Sequence, residues 1–298
     1  EKPLLYLLWN LFLQVYPGLS FDSLKFREGQ LPIIANVLAR NDTIGLLPTG
    51  SGKSVCYQLA AILQPAVSFV VCPIKSLMYD QKADLDSAFF TRTNHITGDF
   101  DASEKAAIQY EFAQGKYFFI FISPERFQIK TFRDYFRSVN NDFKIAYAVI
   151  DEVHCLSEWG HDFRTSYLNL SNTIQRLCTD FNFLGLTATA SLQVLTDLKI
   201  EFGIKQENVK TPMDYTRDEL EFNVIDDKEN KETKIIQVLH QINQDDGVFD
   251  LKGENTQCGI IFTPTVNGRS GCYPLAEKLS QTLNTEVNYY SGSIPKNA

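Results

Sequence analysis

The sequence predicts an α/β protein in which a parallel sheet is covered by helices on both faces. Three observations lead there. Short apolar runs at 68–72, 117–122, 145–150 and 183–186 are continuous rather than alternating, as strands buried on both sides are. Stretches of helical period separate them, and regular alternation of strand and helix is the layout of a parallel sheet with crossovers. A glycine-rich turn, Pro48-Thr49-Gly50-Ser51-Gly52-Lys53-Ser54, joins the apolar run around Ile44 to a stretch of helical period at 55–63.

Taken in order, residues 1–20 are predicted to be helical, ending at Pro17-Gly18. The stretch 21–40 follows, with Ile33, Ile34, Val37 and Leu38 near helical spacing. After the glycine turn and its helix come a strand at 68–72, closed by Pro73, and a helix at 75–89. A helix at 102–114 and a strand at 117–122 precede a helix opened by Pro124-Glu125-Arg126. The strand at 145–150 runs directly into Asp151-Glu152, and another strand lies at 183–186. The charge run 226–232 reads as a solvated connection into a helix at 233–242. A strand at 258–262, a helix at 273–283 and a strand at 287–290 then open a second α/β unit, with too few elements to complete a sheet. The expected organisation is an N-terminal helical extension (1–20), a first domain (21–213), and a linker with an incomplete second domain (214–298). The start at Glu1 without Met suggests a piece of a longer protein.

Composition narrows the function classes. With 298 residues, 44% apolar and 21% charged, the chain reads as a soluble globular protein of one large or two medium domains. No apolar run is long enough to span a bilayer. Leu4-Leu5-Tyr6-Leu7-Leu8-Trp9 resembles a signal core but lacks a basic leader and a small-residue cleavage site. The six cysteines (Cys56, Cys72, Cys155, Cys178, Cys258, Cys272) form no C-x-x-C pair and sit in apolar segments, which suits reduced thiols in a cytoplasmic protein without zinc. A net charge of −8 argues against a broadly basic, nucleic-acid-coating surface but leaves room for a local groove.

Strand, glycine turn, Lys-Ser and helix together cradle a polyphosphate. Backbone N–H groups of the turn and of the first helical turn point at the anion. Lys53 would reach the terminal phosphates, Ser54 would place its hydroxyl on Mg²⁺, and Gly50 and Gly52 would supply unusual backbone angles and close approach. The strict pattern has Gly where this chain has Leu47. Asp151-Glu152-Val153-His154 ends an apolar strand. Asp151 can hold Mg²⁺ with Ser54, and Glu152 can orient or deprotonate an attacking water. Both motifs fall at strand C-terminal ends, where parallel sheets bind ligands. The next segment carries Trp159, His161, Phe163 and Arg164. Aromatics for base stacking and an arginine for backbone phosphate would explain it, and burial of Trp159 and Phe163 under the next helix would explain it equally well.

In their order, Phe26-Arg27-Glu28-Gly29-Gln30, Pro48 through Gln58, Ser76-Leu77-Met78-Tyr79-Asp80-Gln81, Pro124-Glu125-Arg126, Asp151 through Arg164 and Leu186-Thr187-Ala188-Thr189-Ala190 resemble RecQ-family DNA helicases of superfamily 2. The resemblance covers about residues 21 to 200 and is most specific in the segment from Cys155 to Arg164. It implies two RecA-like domains with ATP in the cleft between them, and 3′-to-5′ translocation on single-stranded DNA, with unwinding at duplex junctions. Arg27 and Gln30 would recognise adenine, and Thr49, Gly50, Ser51, Gly52, Lys53 and Ser54 would hold the phosphates and Mg²⁺. Asp151 and Glu152 would serve metal and water, and His154 would sense the γ-phosphate. Trp159, His161, Phe163 and Arg164 would link DNA to hydrolysis, with Thr187 and Thr189 in the coupling segment. By their chemistry alone, Arg27 and Gln30 also fit a solvated helix start, and the two threonines fit turn and cap positions.

The chain departs from the family at Ser23 (an aromatic that stacks on adenine), Cys72-Pro73 (Ser-Pro), Tyr79 (a basic residue) and Val153 (Ala). The second domain's later motifs, with the arginine finger, are not in this sequence. The expectation is therefore a fragment that binds ATP, turns it over poorly and does not unwind DNA by itself. A different class, a nucleotide-dependent DNA-binding module with little hydrolysis, is the alternative.

Overall fold

The computed structural model describes residues 26–156, 167, 169–212, 220–226, 231–246, 259–268, 270–283 and 286–291. The predicted helix over 1–20 lies outside them. Two compact units divide the chain between positions 216 and 217.

The first unit is built on a seven-stranded sheet: β1 (Thr43–Leu46), β2 (Val67–Val71), β3 (Thr93–Ile96), β4 (Phe119–Ile122), β5 (Ile145–Asp151), β6 (Asn182–Thr187) and β7 (Val209–Lys210). Their spatial order is β3-β4-β2-β5-β6-β1-β7, and every pairing is parallel. All residues of β1, β2, β4 and β5 are buried, which accounts for their unbroken apolar runs. Alternate residues serve opposite cores: Ile120 and Ile122 join one, Phe119 and Phe121 the other.

Helices α1 (Gln30–Leu38), α2 (Lys53–Ile62) and α3 (Lys75–Ser87) cover one face through Ile33, Ile34, Val37, Leu59, Ala60, Met78 and Leu85. The opposite face carries α4 (Ala102–Ala113), α5 (Lys130–Asp142), α6 (Leu170–Leu177) and α7 (Leu192–Phe202). Phe136 of α5 is the hub of an aromatic cluster there, with ring centroids 5.0 Å from Phe69, 5.5 Å from Phe127 and 5.8 Å from Phe132. Burying each such ring contributes about 1.5–3 kcal/mol. Local signals fix the helix ends. Asp101 and Glu104 form a reciprocal cap on α4, at 2.8 and 2.9 Å, and Gly203 ends α7 at φ +64°.

Several elements differ from expectation. Pro124 opens a 3-10 turn, Pro124–Gln128, rather than the helix itself. The Arg133 guanidinium donates to the Phe127 and Gln128 carbonyls at 3.0 and 2.7 Å, closing that turn beside the start of α5 at Lys130. Strand β3, Thr-Asn-His-Ile, has no apolar run to reveal it, and α6, α7 and β7 were not predicted either.

In the second unit, α8 (Lys231–Asp246) and α9 (Cys272–Leu283) are joined by an ion pair between Lys278 and Glu232. The predicted strands there are corrected: 259–262 and 287–290 hold no strand in their described residues. A strand exists only through a paired neighbour. Ile260, Phe262 and Tyr290 are largely exposed, without the burial that an apolar strand obtains from a sheet.

Candidate active site

Strands β5, β6 and β1 lie side by side, and the candidate site residues collect at their C-terminal ends. The register does the placing. Leu46, the last residue of β1, pairs with Thr187, while Asp151, the last of β5, pairs with Leu186. The phosphate-loop candidate, the carboxylate pair and the two threonines therefore share one rim of the sheet.

The loop leaves β1 and enters α2 through two glycines at φ +78°, Gly50 and Gly52. Gly52 is the N-cap of α2, with no side-chain cap and no acidic residue in the first turn. The helix start thus keeps the positive end of its dipole uncompensated by its own side chains. Gln30 braces the loop from below: its Nε2 donates to the Ser51 and Gly52 carbonyls at 2.9 and 3.0 Å, and its Oε1 accepts the Arg27 N–H at 2.8 Å. Arg27 donates from its guanidinium to the Gly50 carbonyl. Ser51 closes the turn with a 2.6 Å hydrogen bond to the Pro48 carbonyl. Thr49 and Gly50 are exposed at the tip.

Lys53 Nζ lies 3.4 Å from Glu152 Oε1, and the other oxygen of Glu152 lies 3.3 Å from His154 Nδ1. That histidine nitrogen is also 2.8 Å from Thr187 Oγ1, which donates to the Thr189 carbonyl at 2.9 Å. A continuous path of polar contacts thus links the loop on β1, the acidic pair on β5 and the threonines on β6. Glu152 takes φ +49°, uncommon for a residue with a Cβ, and this bend turns its carboxylate toward Lys53 and His154 while Asp151 stays in the sheet. Asp151 is 4% exposed. Its Oδ1 accepts the Glu152 N–H at 3.0 Å, and its Oδ2 accepts from Gln81 at 3.4 Å.

The charges differ accordingly. Burial, aided by the neighbouring Glu152 charge, pushes Asp151 up to about 6. Glu152 is held below the usual carboxylate range, chiefly by its hydrogen bond to His154 and then by Lys53. His154 is pushed up to about 10 by hydrogen bonding to Cys155 and to Glu152. Glu152 is therefore an ionised acceptor at neutral pH. Asp151 is a buried carboxylate whose charge asks for a cation. A hydroxyl and a carboxylate at the mouth of a phosphate loop are the hard oxygen donors that suit Mg²⁺, which uses one or two carboxylates and completes its shell with phosphate and water. On donor chemistry, Ser54 and Asp151 fit that ion, and the loop fits a polyphosphate.

Of the residues singled out in the sequence, Arg27, Gln30, Thr49, Gly50, Ser51, Gly52, Lys53, Ser54, Asp151, Glu152, His154, Thr187 and Thr189 fall in this region. Trp159, His161, Phe163 and Arg164 lie outside the described residues. Tyr57 and Gln81 border the site without having been assigned a role. Tyr57 does follow Ser54 at the i, i+3 spacing that puts two side chains on one helix face.

Such a layout, with a glycine loop and Lys-Ser between the first strand and its helix and an acidic pair on a nearby strand, places the chain among the phosphate-loop α/β domains. The family model for DEAD/DEAH box helicases matches residues 27–198, and the chain belongs to that family. Its curated relatives include the RecQ-like DNA helicase BLM of Xenopus laevis, 33% identical over 93% of this chain and 19% of that protein. The ATP-dependent DNA helicase RecQ of Bacillus subtilis is 32% identical over 90% of this chain and 42% of its own length. The RecQ resemblance carried by the motifs is thus borne out. The chain spans about half or less of the length of these relatives. The fold is shared with the solved DUF1998 helicase MrfA bound to DNA and AMPPNP, at a TM-score of 0.53 and 15% identity, over 72% of this chain and 32% of that one. Among the described residues no helix is long and apolar enough to cross a membrane.

Proposed function

We propose that this chain is the nucleotide-binding part of an ATP-dependent DNA helicase, coupling Mg-ATP hydrolysis to 3′-to-5′ movement along single-stranded DNA and to unwinding at duplex junctions in the longer protein. One observation carries the reading: Lys53, Glu152, His154 and Thr187 meet in a chain of contacts across three neighbouring strand ends. Separate elements have no packing reason to converge three ionisable groups at the mouth of a glycine loop.

In this reading the loop N–H groups and Lys53 hold the phosphates, and Arg27 and Gln30 recognise the adenine. Ser54 and Asp151 hold Mg²⁺, whose charge offsets that developing on the transferred phosphoryl group. Glu152, kept ionised, accepts a proton from the attacking water. His154, bonded to both Glu152 and Thr187, reports phosphate occupancy to the β6 loop through Thr187 and Thr189. DNA contact belongs to Trp159, His161, Phe163 and Arg164. The unpaired thiols of Cys56, Cys72, Cys155 and Cys178 support a reducing, cytoplasmic setting.

The test is binding of a fluorescent ATP analogue to the 298-residue chain with Mg²⁺, against Lys53→Ala. A loss of at least tenfold in affinity on that substitution is expected. Equal affinity of the two proteins would remove the phosphate-loop reading. Direction is tested on the longer protein with duplexes bearing a 3′ or a 5′ single-stranded tail. Preference for the 5′ tail would reverse the assignment.

A further inference from the structure

Beside the site, a polar chain runs through the protein interior that the nucleotide reading leaves unused. Tyr57 projects from α2, one turn after Ser54, and is 1% exposed. Its ring is set edge-on against Phe119 and Phe121 of β4, with centroids at 5.8 and 6.5 Å, so the phenol is packed against the sheet. The hydroxyl donates to Gln81 Oε1 on α3, and Gln81 Nε2 donates to Asp151 Oδ2 on β5.

The direction of this chain is dictated by its end. An ionised carboxylate can only accept, so the Gln81 amide must turn its NH₂ group to Asp151 and its oxygen to Tyr57. The phenol must then be the donor. Burial keeps it so, pushing the Tyr57 pKa well up, with the charges of Cys72 and Asp151 adding and a side-chain hydrogen bond from Ser54 opposing. Without the phenol donor, the amide still turns its NH₂ to the carboxylate but loses the contact that anchors its far end, leaving the side chain free to pivot about the 3.4 Å hydrogen bond to Asp151.

We propose that Tyr57 and Gln81 are positioning residues that fix the plane of the Asp151 carboxylate and tie it to the Ser54 end of α2, so that the two cation ligands are oriented together. The inference rests on the assignment of Ser54 and Asp151 as those ligands. Both Asp151 oxygens already accept one hydrogen bond, from Gln81 and from the Glu152 N–H, and each retains a lone pair for a cation. Groups that orient metal ligands in this way are typically worth about 10–100-fold in metal affinity.

The experiment measures the affinity of the 298-residue chain for a fluorescent ADP analogue across a Mg²⁺ series and in EDTA. Wild type, Tyr57→Phe, Gln81→Leu and the double variant are compared. The readout is the Mg²⁺ concentration giving half of the gain in nucleotide affinity, with the EDTA value as each protein's own baseline. Each single variant should require roughly tenfold more Mg²⁺, and the double variant no more than either, since both cut one chain of contacts. An unchanged Mg²⁺ requirement in the single variants overturns the proposal, as does an equal loss in EDTA, which would mean damaged packing of the loop. If Tyr57→Phe does not fold, Gln81→Leu decides alone, its side chain being only half-buried. A wild type indifferent to Mg²⁺ but sensitive to Lys53→Ala would overturn the cation site and this proposal with it. It would leave the phosphate loop standing.

Discussion

Alanine at Gly50 and alanine at Gly52 should cost different amounts, although both glycines take φ +78°. A Cβ at Gly50 meets nothing within 4 Å, so only the left-handed backbone opposes it, at about 1 kcal/mol. At Gly52 the same Cβ would sit 2.7 Å from Gln30 Nε2, an atom held by two loop carbonyls. Displacing it adds the loss of those bonds, for a total of about 2–4 kcal/mol. Urea denaturation of the two variants checks the difference, and equal values would mean that Gln30 does not brace the loop. His154 makes a pH prediction. Its pKa is raised from 6.5 to about 10, so its contribution to stability is complete below 6.5 and is lost as pH rises through 10. The Tm should fall between pH 7 and 10, and His154→Gln should flatten that fall. The raised Asp151, near 6, sheds its contribution below this window and does not mask the effect.

At the scale of elements, what could be read in the sequence was what two-sided burial writes into it. Strands β2, β4 and β5 showed as apolar runs because both of their faces are covered, and the loop after β1 showed because two positive-φ positions, Gly50 and Gly52, restrict residue type. The edge strand β3 escaped notice because its Thr93, Asn94 and His95 carry no apolar pattern, although Thr93 and Ile96 are buried. Tyr57 and Gln81 lie within motifs legible in the sequence, but their partnership joins α2 to α3 through space, and no local spacing encodes it. The strands expected in the second unit failed for a related reason: an apolar run reports a wish for burial, and pairing requires a neighbour. Two substitutions separate local from shared contributions. Asp101→Ala removes an exposed cap on α4 and should cost about 0.5–2 kcal/mol with nucleotide affinity unchanged. Phe136→Ala empties the centre of the aromatic cluster between α5 and the sheet and should cost about 3–5 kcal/mol. Chemical denaturation measures both.

Across the whole molecule, the first unit is a sheet with a protected middle and unequal edges. Amide exchange should be slowest in β2 and β5, buried on both faces and paired on both sides, and fastest in the two-residue edge strand β7. Uniform protection across the sheet would contradict that order. The strand order also sets a schedule for the chain as it is made. Strand β1, which leads into the phosphate-loop candidate, pairs with β6 and β7, and Thr43 finds its partner at Leu184. While β2 through β5 can assemble as they emerge from the ribosome, β1 must wait, its backbone edges unpaired, until the segment bearing β6 has been synthesised. At about 5–20 residues per second that wait lasts many seconds. During it the nascent protein has a stretch for chaperones to hold and an unassembled rim, so the proposed nucleotide site arrives late in translation and all at once.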